Sequence, residues 1–136
     1  MTTLYDAGRP QERRPGVLLI DPDPTARASL ARGLEGAGWH VWAVDGSTAM
    51  ETYRLHRDNI DVALVDLQFP GLQGGRLLAE LGQVAPELTR CAMSGGVKAY
   101  TASAYRRMSG TPLFAKPLDP RALAAALHDL LLVSRT

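Results

Sequence analysis

The chain has 136 residues, with 15 Lys and Arg against 14 Asp and Glu, for a formal net charge of +1. That length suits one domain of roughly 100–200 residues, and the balanced charge excludes nucleic-acid binding through a broad basic field. No apolar run approaches the ~20 residues that cross a bilayer, Asp6, Arg9 and Pro10 interrupt any signal core, and the single Cys91 excludes an internal disulfide or a cysteine-based zinc site.

The expectation is therefore a small cytoplasmic domain. Residues 1–16 hold two prolines and two glycines without a periodic apolar pattern, and read as a disordered tail, which leaves an ordered domain over 17–134. Val17-Leu18-Leu19-Ile20 has the continuous apolar character of a strand buried on both faces. Asp23 or Thr25 then caps a helix with Pro24 in its first turn and Leu30 and Leu34 on its stripe, and Gly36 and Gly38 stop it. A second strand runs from His40 to Asp45, followed by a helix capped near Ser47 with Met50, Tyr53 and Leu55 on its buried face. Asp61 to Asp66 is the third strand, and a glycine-bearing loop from Phe69 to Gly75 leads to a helix around Arg76 to Gln83. Thr89 to Ser94 is the fourth strand, with a helix around Val97 to Met108 after Gly95 and Gly96. Pro112 to Ala115 is the fifth. The last helix opens on Asp119 and Pro120 and buries Leu123, Leu127, Leu130 and Leu131.

Five short apolar strands alternating with five helices predict an α/β fold: a doubly wound parallel sheet covered on both faces, reached by right-handed crossovers. The flavodoxin-like order 2-1-3-4-5 is the default for five such units, and its ligands bind at the carboxyl ends of strands 1 and 3. Strand 1 ends in Asp21, strand 3 in Asp66, strand 4 in Ser94 and strand 5 in Lys116. Any one of these could be a cap. Together they place two carboxylates, a hydroxyl and a lysine at one crevice, a set suited to phosphoryl transfer. A carboxylate can attack phosphorus, and a lysine and a hydroxyl can hold the phosphoryl oxygens.

The motifs VLLIDPDP, DVALVDLQFPGLQGG, MSGG and FAKPLDP make the chain resemble a response-regulator receiver domain (CheY-like) of two-component signalling over about residues 16–134. The resemblance implies that Asp66 accepts phosphate from a sensor histidine kinase or phosphotransfer protein, and that Ser94 and Lys116 contact it. It implies a cis Lys116-Pro117 bond that aims Lys116 at the site. It implies Mg2+ held by Asp21, Asp66 and the backbone carbonyl of Gln68. Such a domain is a phosphoacceptor, not an enzyme. The chain length leaves room for no attached effector, so output is expected through a downstream protein partner, without direct contact to nucleic acid or membrane.

Three positions depart from the family. Receivers carry two adjacent acids after the first strand, and here the second is Pro22. Losing that charge near the ion costs about 2–4 kcal/mol at an effective dielectric of ~20, unless Asp23 turns inward to replace it. The family's switch aromatic, three residues before the lysine, is Leu113, with Phe114 out of register. The acid before the loop glycine is Gln73. Mg2+-dependent phosphorylation is accordingly expected to be weakened or altered.

Two other readings compete. Asp21-Pro22-Asp23-Pro24-Thr25 also fits D-x-D-x-T, which resembles the first motif of haloacid-dehalogenase-type phosphohydrolases, with Asp21 as nucleophile and Asp23 as acid/base. Alternatively, a degenerate receiver acts as a phosphorylation-independent interaction module. It would use Tyr100, Tyr105, Arg106, Arg107, Leu113 and Arg121 on the helix 4–strand 5–helix 5 face, where a homodimer could also form. Cys91, Trp39 and Trp42 read as packing, and His40, His56 and His128 as scattered.

Overall fold

The computed structural model describes residues 13–68, 73–95 and 99–134. Residues 1–12 of the expected 1–16 tail, the Phe69, Pro70 and Gly71 positions, and Gly96 and Val97 lie outside the described residues, as do the side chains of Gln73, Tyr100 and Met108. The elements run β1 (Gly16–Ile20), α1 (Pro24–Gly36), β2 (His40–Val44), α2 (Ala49–His56), a 3-10 turn (Arg57–Asn59), β3 (Val62–Asp66), α3 (Gln73–Val84), β4 (Thr89–Gly95), α4 (Ala99–Ser109), β5 (Leu113–Lys116) and α5 (Pro120–Ser134). The strands form one sheet in the order β2-β1-β3-β4-β5, and every pair is parallel. This is the predicted flavodoxin-like α/β architecture.

The central strands explain their own composition. All five residues of β1 and all five of β3 are buried, so each face of these strands needs apolar side chains. Alternation sends Val17, Leu19, Val62 and Leu64 to one face, against Leu30, Ala31 and Leu34 of α1 and Leu123, Ala124, Leu127 and Leu131 of α5. Leu18, Ile20, Ala63 and Val65 go to the other, against Ala49 and Tyr53 of α2 and Leu77, Leu78 and Leu81 of α3. Each fully buried aliphatic side chain contributes roughly 1.5–3 kcal/mol. The edge strand β2 is only partly covered.

Several local expectations shift. The chain is already tied down before Val17: β1 begins at Gly16, and Arg13 pairs with Asp61. Helix α3 starts three residues earlier than predicted, so Gly74 and Gly75 belong to its first turn and not to the loop. Gly74 is there because of close approach: a Cβ on it would lie 2.5 Å from the Asp66 carbonyl oxygen. Strand β4 runs on to Gly95, and β5 covers Leu113–Lys116 and not 112–115. The N-cap of α2 is Thr48, without a side-chain bond, while Ser47 bonds back to Asp45. Leu55 is 71% exposed, not buried. Two residues beyond Tyr53, it stands on nearly the opposite side of the helix. Leu130 is half-buried. Trp39 is fully buried and lies against the His128 ring at 4.8 Å. His40 and His56 are not scattered in space, because both stack on Trp42, at 3.9 and 5.2 Å between centroids.

Candidate functional site

The carboxyl ends of β1, β3 and β5 bring three charged side chains to one point. Asp21 follows β1 directly, Asp66 ends β3 and Lys116 ends β5. The Lys116 ammonium donates to Asp21 Oδ2 at 2.9 Å and to Asp66 Oδ2 at 2.6 Å. The two carboxylates are almost entirely buried, with side chains 1% and 3% exposed, against 23% for the lysine. Burial alone would push the lysine pKa down, but hydrogen bonds and charge attraction from Asp66 and Asp21 outweigh it and hold the ammonium above its ordinary value. The Lys116-Pro117 peptide bond is cis.

The remaining carboxylate oxygens are also engaged. Asp21 Oδ1 accepts from the Asp23 N–H at 2.9 Å, and Asp66 Oδ1 accepts from the Gln68 N–H at 2.7 Å. Each is the local turn that a strand-ending Asp makes with the backbone two residues on. Every carboxylate oxygen of the pair therefore meets an N–H donor. Two acids face one lysine, leaving net negative charge in a dry place, where an electrophile or a cation is attracted most strongly.

Ser94 stands in β4 one residue past Met93, which is paired with Asp66, so it lies at the same edge and is half-buried. Asp23 does not join the pocket. Its Oδ1 accepts from the Thr25 N–H at 3.0 Å as the N-cap of α1, and the residue is exposed. This corrects its expected roles as substitute metal ligand and as acid/base beside Asp21. The same Asp-Pro-Asp-Pro-Thr run reads better as a helix start than as a phosphohydrolase motif.

Two contributors were missed in the sequence. Arg27, in the first turn of α1, donates from Nη1 to the Asp21 carbonyl at 2.7 Å. It also lies near Asp45, whose carboxyl is held below the usual range mainly by the hydroxyl and N–H of Ser47, with Arg27 adding a smaller pull. Gln68 was expected to act only through its backbone, yet its Oε1 accepts from the Gly95 N–H at 3.0 Å. A capping Asp followed shortly by an arginine was the available signal for Arg27. No sequence pattern marks the glutamine.

On the α4–β5–α5 face, Arg106 and Leu113 line a groove of about 380 Å³ with Phe114, Leu130 and Val133. Tyr105 turns inward beside Leu113 against the α2–α3 cluster, while Phe114 packs on the opposite face of the sheet, as its register predicts. Arg107 and Arg121 are exposed and do not line the groove. Cys91 is buried, which pushes its thiol pKa up and keeps it protonated.

The strand order, with the acid–lysine cluster at the carboxyl edge of the sheet, defines a flavodoxin-like α/β domain. The family model of the response regulator receiver domain matches residues 17–128, and the chain belongs to that family. It is 28% identical over 123 residues to the response regulator receiver protein CpdR of Brucella abortus, covering 87% of this chain and 98% of that one. It is 29% identical over 126 residues to the C4-dicarboxylate transport transcriptional regulatory protein DctD of Pseudomonas aeruginosa, covering 93% of this chain and 27% of the relative. It thus spans about a quarter or less of the length of several longer relatives, including 19% of a protein-glutamate methylesterase/protein-glutamine glutaminase of Paramagnetospirillum magneticum. Among solved structures, a receiver domain protein from Clostridium thermocellum superposes with a TM-score of 0.74 at 20% identity, covering 88% of this chain and 96% of that one.

Receiver domains are generally non-enzymatic phosphoacceptors that interact with kinases or effector partners, and they typically bind Mg2+ for phosphorylation. The donor set here fits that ion poorly. Pro22 brings no carboxylate, Asp23 caps α1, and Lys116 already sits between Asp21 and Asp66. Among the described residues no group of three or more His, Cys, Asp or Glu could hold a metal. Among them, too, no helix is long and apolar enough to cross a membrane.

Proposed function

We propose that Asp66 is the phosphoacceptor of a two-component system, charged by a histidine kinase or phosphotransfer protein, and that the chain signals through a partner protein. The observation that carries this reading is the Lys116 ammonium held 2.6 Å from a buried Asp66 carboxylate at the carboxyl edge of β3. An Asp66 oxygen attacks the phosphorus of the donor. The new P–O bond forms as the bond from phosphorus to the donor breaks, and the donor atom leaves with the electron pair. Lys116 then neutralises a phosphoryl oxygen, and the Ser94 hydroxyl donates to another. With two carboxylates at the edge and no third among the described residues, dependence on Mg2+ is weaker than a three-acid site would give.

The test is labelling of the full chain with acetyl phosphate at graded Mg2+. Labelling is expected to be lost in Asp66→Asn and to show shallow Mg2+ dependence. A label that survives Asp66→Asn overturns the acceptor assignment, and tight, saturable Mg2+ dependence overturns the weakened cation site. No labelling of the wild type or of any variant would favour the second reading, a phosphorylation-independent module acting through the α4–β5–α5 groove lined by Arg106 and Leu113.

A further inference from the structure

We propose that the Gln68 carboxamide is a latch across the phosphoacceptor site, holding the first backbone donor beyond Asp66 until a phosphoryl group displaces it. The inference rests on the reading of Asp66 as phosphoacceptor.

The latch follows from where the β3–β4 ladder stops. Asp66 is paired with Met93, and the Leu67 N–H donates to the Met93 carbonyl at 2.8 Å. In a parallel ladder the next rung would carry the Gly95 N–H to the Leu67 carbonyl. That donor goes instead to Gln68 Oε1 at 3.0 Å. The end of the glutamine lies flat on the glycine: a Cβ on Gly95 would be 3.0 Å from Oε1, 3.5 Å from Nε2 and 3.6 Å from Cδ. A side chain at this position would press on the carboxamide. The same Gln68 donates its own N–H to Asp66 Oδ1 at 2.7 Å. One residue is thus fastened at its backbone to the acceptor carboxylate and at its side chain to the end of β4.

The chemistry gives the tie a direction. A phosphoryl group on Asp66 brings three strong acceptor oxygens. Lys116 and Ser94 answer two of them, and the Gly95 N–H at the strand end is the backbone donor that can answer the third. While Gln68 holds it, that donor is satisfied by an internal amide. A phosphoryl oxygen is the stronger acceptor, since a charged acceptor makes a shorter and stronger bond than a neutral amide. Gln68 is exposed, so none of the described residues encloses it. Opening therefore precedes or accompanies phosphorylation, and it frees the end of β4. Leu113 carries no ring to report the state of Ser94, and the Gln68–Gly95 bond supplies an alternative route from Asp66 to the end of β4.

The experiment compares the full-length wild type with Gln68→Ala and Gln68→Met, the second keeping the bulk and removing the acceptor. Unchanged far-UV circular dichroism and melting temperature confirm that each variant folds. Without any phosphate, the Gly95 amide is expected to exchange about threefold to tenfold faster in both variants, the factor that one net hydrogen bond supports. With acetyl phosphate, the initial labelling rate at Asp66 is expected to rise by a similar factor in both. Unchanged Gly95 exchange overturns the latch. Faster exchange without faster labelling overturns its gating role. Absence of labelling in all three proteins overturns the acceptor reading and the gate with it, while the exchange measurement still decides whether the tie itself exists.

Discussion

The two edges of the sheet both pair aspartate with a base, and they do so in opposite ways. At the amino edge, Arg13 grips both oxygens of Asp61 at 3.0 Å, and the Gly16 N–H adds a third bond at 2.8 Å. One planar fork meets one carboxylate, the charges cancel, and the pair is partly open to water, with side chains 33% and 10% exposed. At the carboxyl edge, a single lysine divides its ammonium between two nearly dry carboxylates. The first arrangement fastens the start of β1 to the start of β3. The second carries surplus negative charge that only an added electrophile or cation removes. A matched ion pair behaves as a fastener and a mismatched one as a site, although their parts are nearly the same.

Removing the base from each edge should separate the two most sharply. Lys116→Met leaves Asp21 and Asp66 buried together without a cation and is expected to cost about 3–5 kcal/mol in urea unfolding at pH 7. A loss below about 1 kcal/mol would mean that water or ions already screen the pair. The lysine also sets a pH signature. Its folded pKa is raised above the unfolded value of about 10.4. Its contribution is therefore fully present below that value and is lost as pH climbs through the folded one. Stability measured across the alkaline range should fall above about pH 10.4 in the wild type and lack that component in Lys116→Met.

Asp23 sharpens the contrast within the carboxyl edge. As the cap of α1 it should cost about 1 kcal/mol on change to Ala, with Mg2+ dependence of labelling unchanged. A steep loss of Mg2+ response in that variant would return it to the pocket. The smallest effect belongs to the amino edge, where Arg13→Ala should cost about 0.2–1 kcal/mol by thermal unfolding and leave Asp66 labelling unaffected.

Much of this was legible before any coordinates. Val17–Ile20 and Val62–Val65 are apolar because both faces of the central strands are covered, and the alternation of strands with helices made 2-1-3-4-5 the default order, which places Asp21, Asp66 and Lys116 on one edge. Where helices are short, the pattern thins. In the eight residues of α2, Leu55 mimics a buried position two residues after Tyr53 and points away. The least legible contributors were Arg27 and the side chain of Gln68. Both are long polar groups on exposed or half-covered positions, and their partners are backbone atoms that carry no residue identity. Asp23 shows the same limit from the other side. Its sequence neighbours suit a cap and a ligand equally, and only the direction of its carboxylate separates them.

The Lys116–Asp21 bond closes a separation of 95 positions, and Lys116–Asp66 one of 50. Asp21 and Asp66 can therefore be in place on adjacent strands while the residue that neutralises them is still unrecruited. Until β5 docks on β4, burying the two acids is opposed by their mutual repulsion. Docking of the fifth strand brings Lys116 to both carboxylates and removes that opposition.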